Sequence, residues 1–344
     1  MTTTQTLKIS TWAKLKWPLV ALSLVLLFNW FFTHGFFHLE IKEGRIYGSL
    51  VDILNRATPV MLLSLGMTLV VATGGVDLSV GAVMAISGSV AALLIVKGCS
   101  LAAIIATALG AALVAGICNG CLVGFLNVPP IVATLILMVS GRGIAELLSG
   151  GQIITFENKS FEFIARGKFL ALPFTITLTA VVFIFLTLFT KKTAAALFIE
   201  ATGDNETASR YAGVNTRAVK LMVYSICGLC AGLAGLIPAA DLKAADAHHA
   251  GEWLELDAIL ATVIGGTALQ GGRFSLGGSL IGAILIQTVT TTILTRGVGS
   301  EYTLVVKALV VIAVCLLQSE KFRQSIAKGW RALARKKTSP APSS

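Results

Sequence analysis

The chain is short of charge. Only 13% of its 344 residues are Asp, Glu, Lys or Arg, against roughly 25% in an ordinary soluble domain. A folded surface in water needs more charge than that, so a water-soluble globular protein is excluded. Strict polar–apolar alternation is missing too. Runs such as "VVFIFLTLF" do not alternate, which excludes a membrane β-barrel. Catalytic signatures are equally scarce. There is no G-x-x-x-x-G-K-S/T phosphate loop; "GGTALQGGRFS" has glycines without the lysine, so ATP hydrolysis by this chain is not expected. His34, His38, His248 and His249 lie outside any H-E-x-x-H pattern and near the ends of apolar segments, where they read as surface or interfacial groups. "GGVD" matches the G-x-G-D element of intramembrane aspartyl proteases only loosely, and no apolar segment has a central His to serve a serine. These gaps argue against an enzyme. No cofactor or metal is expected either. Cys118-x2-Cys121 and Cys227-x2-Cys230 lie inside apolar stretches beside Gly and Ala, without His or acid, and read as packing residues.

What the chain has is hydrophobic length. Ten apolar segments lie near 17–33, 52–73, 78–96, 101–126, 130–149, 171–190, 219–239, 256–270, 276–295 and 302–318. A bilayer crossing takes about 20 residues at 1.5 Å rise each. The segment 256–270 is the weakest, being short and opening with Glu255 and Asp257. The reading is an all-α, polytopic integral membrane protein of about ten transmembrane helices. Its membrane domain, 17–318, lies between a tail 1–16 and a basic tail 319–344. Lys8, Lys14 and Lys16, then Lys191, Lys192, Arg210, Arg217 and Lys220, then seven basic residues from Lys321 to Lys337 all fall on one side of a ten-span chain. The positive-inside rule makes that side cytoplasmic, with both termini there. The net charge of +10 is therefore mostly topology. "KFRQSIAKGWRALARKK" reads as an amphipathic helix on anionic lipid rather than a nucleic-acid arm.

One place breaks the apolar pattern with an acid. "VVATGGVDLSVGAV" puts Gly74, Gly75, Asp77, Ser79 and Gly81 between two apolar runs. Interrupted helices persist in a membrane only where protein or water surrounds them. Gly74 and Gly75 supply the backbone freedom, and Asp77 and Ser79 stand where the next helix begins, as caps. A charge in mid-membrane costs at least ~2.5–3.5 kcal/mol, so Asp77 does not face lipid. Two roles stay open, a structural cap and a lining of a permeation path or hinge. "ATVIGGTALQGGRFSLGGSLIGAI" repeats the order, with Gly265-Gly266 followed by Ser275-Leu276-Gly277. Broken or re-entrant segments are thus expected near 74–78 and 265–275, as in transporters with internal repeats. Further polar candidates are Asn55, Arg56, Asn119, Gln287 and the run Thr288 to Thr292. Asn119, Gln287 and Thr290 suit a polyhydroxylated solute beside the path. Arg142 and Glu146 are four apart, a spacing that predicts an ion pair on one helix face.

The connection 191–219 holds two short amphipathic stretches, "TAAALFIEA" and "NETASRYAG", with Asp204 or Asn205 as N-cap and Gly213 as stop. It reads either as a membrane-surface connector or as a helix offering Ala208, Tyr211 and Ala212 to a partner groove. "GMTLVVATGGVDLSVGAVMAISG", "EATGDNETASRYAGVNTRAVKLMVYSICGLCAGLAG" and "LDAILATVIGGTALQGGRFSLGGSLIGAILIQ" closely resemble blocks of permease subunits of sugar ABC importers of the ribose and galactofuranose type. The likeness covers about residues 45–318. It implies a bacterial inner-membrane subunit that passes a monosaccharide, galactofuranose or ribose-like, inward. An ABC ATPase subunit would dock below, a second permease subunit, identical or homologous, alongside, and a periplasmic sugar-binding protein above. By the same resemblance residues 200–213 transmit ATPase motion, through Glu200, Gly203, Asp204, Asn205, Ala208 and Gly213. Gly74, Gly75, Asp77, Ser79 and Gly81 then form a signature break near the path. The residues alone also admit a single-chain secondary transporter or channel for a small polar solute.

Overall fold

The computed structural model describes residues 11–33, 35–38, 40–42, 45–169, 171–297 and 302–318. The basic C-terminal tail and Lys8 of the N-terminal tail lie outside the described residues. Each of the ten apolar segments contains a helix. They are α1 (Thr11–Phe32), α2 (Ser49–Ala72), α3 (Val80–Val96), α4 (Leu101–Gly124) and α5 (Pro130–Ser149) in the first half. A short amphipathic helix, α6 (Lys159–Arg166), intervenes before α7 (Phe174–Lys192). The 191–219 connection forms α8 (Ala195–Asp204) and α9 (Glu206–Tyr211), followed by α10 (Thr216–Leu242), α11 (Leu254–Ile264), α12 (Leu276–Thr295) and α13 (Thr303–Gln318). Three two-stranded antiparallel ribbons, of two or three residues per strand, trim the loops.

Among the described residues seven helices, α1, α2, α4, α5, α7, α10 and α12, are long and apolar enough to cross a bilayer. The segment expected at 256–270 is helical over only part of its length. α11 has only 11 residues, about 16 Å of helix, because Gly265-Gly266 stops it. The remaining segment to Ser275 is an irregular turn, as the repeated glycine pattern predicted.

Burial sorts the helices into a core and a ring. Within the crossing windows α2 is 78% buried, whereas α5 and α7 are each 22% buried. α2 and α10 therefore form the protein-lined centre, and α1, α5 and α7 present apolar faces outward. Centre helices meet through small residues, because lipid supplies no hydrophobic drive and backbones must approach closely to gain dispersion energy. On α4, Gly116, Gly120 and Gly124 recur every four residues and lie against α10. A Cβ at Gly120 would stand 2.8 Å from Leu221 Cα, and one at Gly116 3.1 Å from Ser225 Cα. Cys227 and Cys230 of α10 are buried against Gly66 of α2. In α11 Asp257 takes Lys307 Nζ of α13 at 2.8 Å, which neutralises the acid inside the bundle.

A bulky residue in this seam should separate α4 from α10. Gly120→Leu is expected to lower stability in detergent by at least about 1–3 kcal/mol. Gly110→Leu on the same helix, where an added Cβ meets nothing within 4 Å, should be near neutral. Thermal unfolding of the two variants side by side checks the difference.

Candidate coupling and translocation site

The break after α2 is a helix stop of defined chemistry. Gly74 has φ +80°. Gly75 N–H donates to Val70 O at 3.2 Å and Gly74 N–H to Val71 O at 2.9 Å. These are the paired bonds of a Schellman motif, which satisfies carbonyls that the helix end leaves free. The break after α11 repeats it. Gly266 has φ +87°, with Thr267 N–H on Thr262 O at 3.1 Å and Gly266 N–H on Val263 O at 2.9 Å. Ser275 then caps α12 by accepting from Gly278 N–H at 3.1 Å. The two sequence breaks are thus one device used twice.

Asp77 is 2% exposed. Its Oδ1 accepts from Ser79 N–H at 2.9 Å and from Ser79 Oγ at 2.6 Å. Asn119 of α4 donates to Ser79 Oγ at 2.9 Å and reaches Asp77 Oδ1 at 3.4 Å. Cys227 of α10 adds a side-chain hydrogen bond to the same carboxylate. Tyr224 OH is buried beside them, 2.6 Å from where a Cβ on Gly75 would stand. Asp77 therefore ties the non-helical turn to α4 and α10 rather than capping the first amides of α3. Ser79 is the N-cap residue of α3 but accepts no backbone N–H there. Depth follows from the neighbours. Asn119 is five residues from the end of α4 at Gly124, about 7.5 Å, and Pro130 at the start of α5 touches the Gly75 position. The break thus lies near one end of the bundle, not at its middle.

That end also carries α8. Gly203 is pressed into the meeting point of the two breaks. A Cβ there would overlap the Ala72 carbonyl and stand 2.5 Å from Gly272 N. Gly272 N–H donates to Ala72 O at 2.8 Å. Gly271, with φ +94°, would set a Cβ 2.7 Å from Gly203 O and 2.9 Å from Gly74 N. The geometry turns Gly203 toward the bundle. Glu200 is half-buried on α8, while Asp204 and Asn205 are exposed at its end. Asn205 Oδ1 caps α9 by accepting from Ala208 N–H at 2.9 Å. Gly213, at φ +87°, closes α9 with a third Schellman pair, Val214 N–H to Ser209 O at 2.9 Å and Gly213 N–H to Arg210 O at 3.0 Å. Ala208, Ala212 and Gly213 are exposed, and Tyr211 is 89% exposed.

Glu206 went unread in the sequence, although its four-residue spacing to Arg210 was visible there. It accepts from Arg210 Nη2 at 2.6 Å and from Lys220 Nζ at 2.8 Å, and pins α9 to the start of α10. Partial burial pushes its carboxyl up, but the Lys220 bond and charge, with Arg210 behind them, outweigh this and hold it below its ordinary 4.5. Gln287 is not brought to Asp77. Its amide reaches Thr291 on its own helix at 3.4 Å. Thr288, Thr290 and Thr292 likewise bond back to α12 carbonyls. Thr292 Oγ1 also accepts from Asn29 of α1 at 2.8 Å. Gly81 meets the loop before α11, with Gly251 O 2.5 Å from its would-be Cβ. At the far end a cavity of about 330 Å³, lined by Pro59, Met84, Gly88, Gly235, His249 and Glu252, falls in the range of small-molecule sites, roughly 300–1,000 Å³.

Residues 49–315 match the family model described as the branched-chain amino acid transport system / permease component. The chain belongs to this permease family. Relatives within it carry sugar names. The galactofuranose transporter permease protein YtfT of Escherichia coli is 50% identical over 324 residues, 93% of this chain and 95% of that one. The fructose import permease protein FruF of Bifidobacterium longum is 38% identical, covering 90% and 88%. The ribose import permease protein RbsC of Escherichia coli is 36% identical, covering 79% and 86%.

Two outcomes follow for this permease. Asp77→Ala strands the buried Ser79 donors and should cost about 1–3 kcal/mol. Asp77→Asn keeps an acceptor and should cost much less; denaturation in detergent separates them. Glu206 has a depressed folded value, so its contribution is present above pH 4.5 and lost as pH falls through that lower value. Hydrogen exchange in α9 should therefore stay protected at neutral pH and rise only in acid. In Glu206→Gln the exchange should be fast at neutral pH already.

Proposed function

We propose that this chain is the membrane subunit of an ABC importer for a monosaccharide of galactofuranose or ribose-like type, with ATP hydrolysed on a partner chain. Support for the substrate class comes from the sugar permeases it resembles along nearly its whole length. One observation carries the mechanism. α8 is wedged by Gly203 onto the junction of both helix breaks, while α9, immediately after it, offers Ala208, Tyr211 and Ala212 to the outside. A partner that grips α9 and moves it pushes directly on Ala72 and Gly272, the ends of the two interrupted elements. Glu206 makes the push efficient, because its bonds to Arg210 and Lys220 join α9 rigidly to α10.

In this reading the α8 end is cytoplasmic, the membrane is a bacterial inner membrane, and both termini lie inside. The ATPase takes the α9 face. A second permease, identical or homologous, covers an outward-facing helix, and a periplasmic binding protein delivers sugar at the far end. Asp77, Ser79 and Asn119 act here as the hinge anchor beside the path, and Gly74 and Gly75 as the hinge itself. Asp204 and Asn205 shape the docking surface through the α9 cap.

Purification of the tagged chain from its native membrane tests the reading. An ATPase should co-purify with the wild type and be lost with Ala208→Arg, which changes only an exposed position. Gly203→Ala should retain the ATPase but abolish uptake, because its Cβ cannot fit against Ala72 O. Sugar uptake by the purified single chain, without any ATPase, would refute the proposal.

A further inference from the structure

A second polar site lies on the outer half of α5, away from both breaks. Arg142 stands 12 residues beyond Pro130, counting from 130 to 142, or about 18 Å along the helix. Glu146 is one turn further. The sequence spacing predicted that these two pair with each other, and they do not. Arg142 Nη1 donates to Ala247 O at 3.0 Å and Ala250 O at 2.6 Å. Glu146 meets His248 Nδ1 at 3.0 Å. Both bonds hold the loop between α10 and α11 against α5. That loop ends at Trp253, a non-glycine residue at φ +64° and 53% exposed. Such a backbone is strained for a bulky side chain, and strain of this kind concentrates at functional sites.

These groups line one cavity of about 540 Å³: Val139, Arg142, Glu146, Glu252, Trp253 and Glu255. Glu255 Oε2 is turned inward against Gly81 of α3 with no hydrogen-bond partner, so the exposed Glu252 is the carboxylate that reaches the cavity mouth. One cation and three carboxylates opening sideways from a crossing helix are a poor match for lipid, since each intramembrane charge costs at least ~2.5 kcal/mol there. The cavity therefore opens onto water rather than lipid. Its net charge rejects anionic solutes. Carboxylates that accept from hydroxyls, beside an exposed indole that packs on C–H groups, form a site for an uncharged polyhydroxylated ring.

We propose that the Trp253–Glu252–Glu255 face, steadied by Arg142, is a sugar-contact station in the outer half of the path, completed by the facing permease. This rests on the importer reading above and adds the residues that touch cargo. Two measurements test it. In the first, Gly143→Cys, where an added Cβ meets open space, is treated with a membrane-impermeant thiol reagent in intact cells and read by mass spectrometry at that residue. Thiolates form in water and not in lipid, so labelling is expected, and absence of labelling overturns the site whatever the cargo. In the second, the reconstituted complex is assayed with radiolabelled galactose, ribose and fructose delivered by its binding protein. Trp253→Gly removes the ring while suiting the positive φ, and Glu252→Gln removes a charge. Each should lower uptake about tenfold or more in complexes that still assemble and hydrolyse ATP. Unchanged uptake, or uptake and ATP hydrolysis falling together, overturns the proposal. A labelled cavity with no transport of any sugar by the wild type instead overturns the importer reading and, with it, the ligand.

Discussion

The hydrogen bond from Gly272 N–H to Ala72 O, at 2.8 Å, is the joint on which the arrangement depends. It links the stopped end of α2 to the turn after α11, two places where a helix end leaves backbone groups in need of partners. Each break first closes its own helix through a Schellman pair, which leaves few carbonyls unbonded. The Ala72 carbonyl is one that remains, and the other break supplies its partner. Because the bond is backbone to backbone, no side chain may intrude. Gly203, Gly271 and Gly74 all crowd the same point, and the contact exists only because three different segments bring a glycine to it. A helix outside the bundle is thereby seated on the junction of two interrupted helices inside it.

Seating alone would not transmit motion if the turns were soft. The turn at 73–79 is stiffened from the interior by Asp77, whose bonds to Ser79, with Asn119 and Cys227 behind them, fix it to α4 and α10. Those two helices are themselves locked by the glycine seam around Gly116 and Gly120. Displacement of α8 is therefore resisted by a rigid α4–α10 pair on one side. The turn at 265–275, which carries three positive-φ glycines, Gly266, Gly271 and Gly272, is the softer side. The junction at Gly203 is thus braced by side-chain bonds on the α4–α10 side and built of glycine turns on the α11–α12 side.

What the sequence made legible was local. Gly74-Gly75 and Gly265-Gly266 read as stops, and Asn205 and Gly213 as the bounds of a short helix, because capping and positive φ are decided within six residues. The shortness of α11 was half-visible in its acidic start. Long-range pairings were not legible. Arg142 and Glu146 have the spacing of a pair, yet loop carbonyls more than a hundred residues away compete for Arg142 and win. Gln287 and its neighbouring threonines look like a polar lining by composition, but on a helix they bond backward to their own carbonyls. Cys227 read as simple packing until α10 brought it to Asp77. The α4 glycines at four-residue spacing carry a signal for close helix packing, though not for which helix they pack against.

The chain treats its membrane carboxylates in two ways, and the contrast explains what each region is for. Asp77 and Asp257 are wrapped: one takes hydrogen bonds from Ser79 and Asn119, the other takes Lys307 at 2.8 Å. Neither has acceptor capacity exposed to a passing solute, and both serve to hold segments that would otherwise drift. Glu252 is exposed to a cavity beside a strained tryptophan, and Glu255 lines the same cavity with its Oε2 turned inward against Gly81. The glycine junction at one end and this cavity at the other are thus kept apart by more than half the length of α5 and connected through α11. That helix begins beside Trp253 and ends at Gly265, one short rod between the two sites.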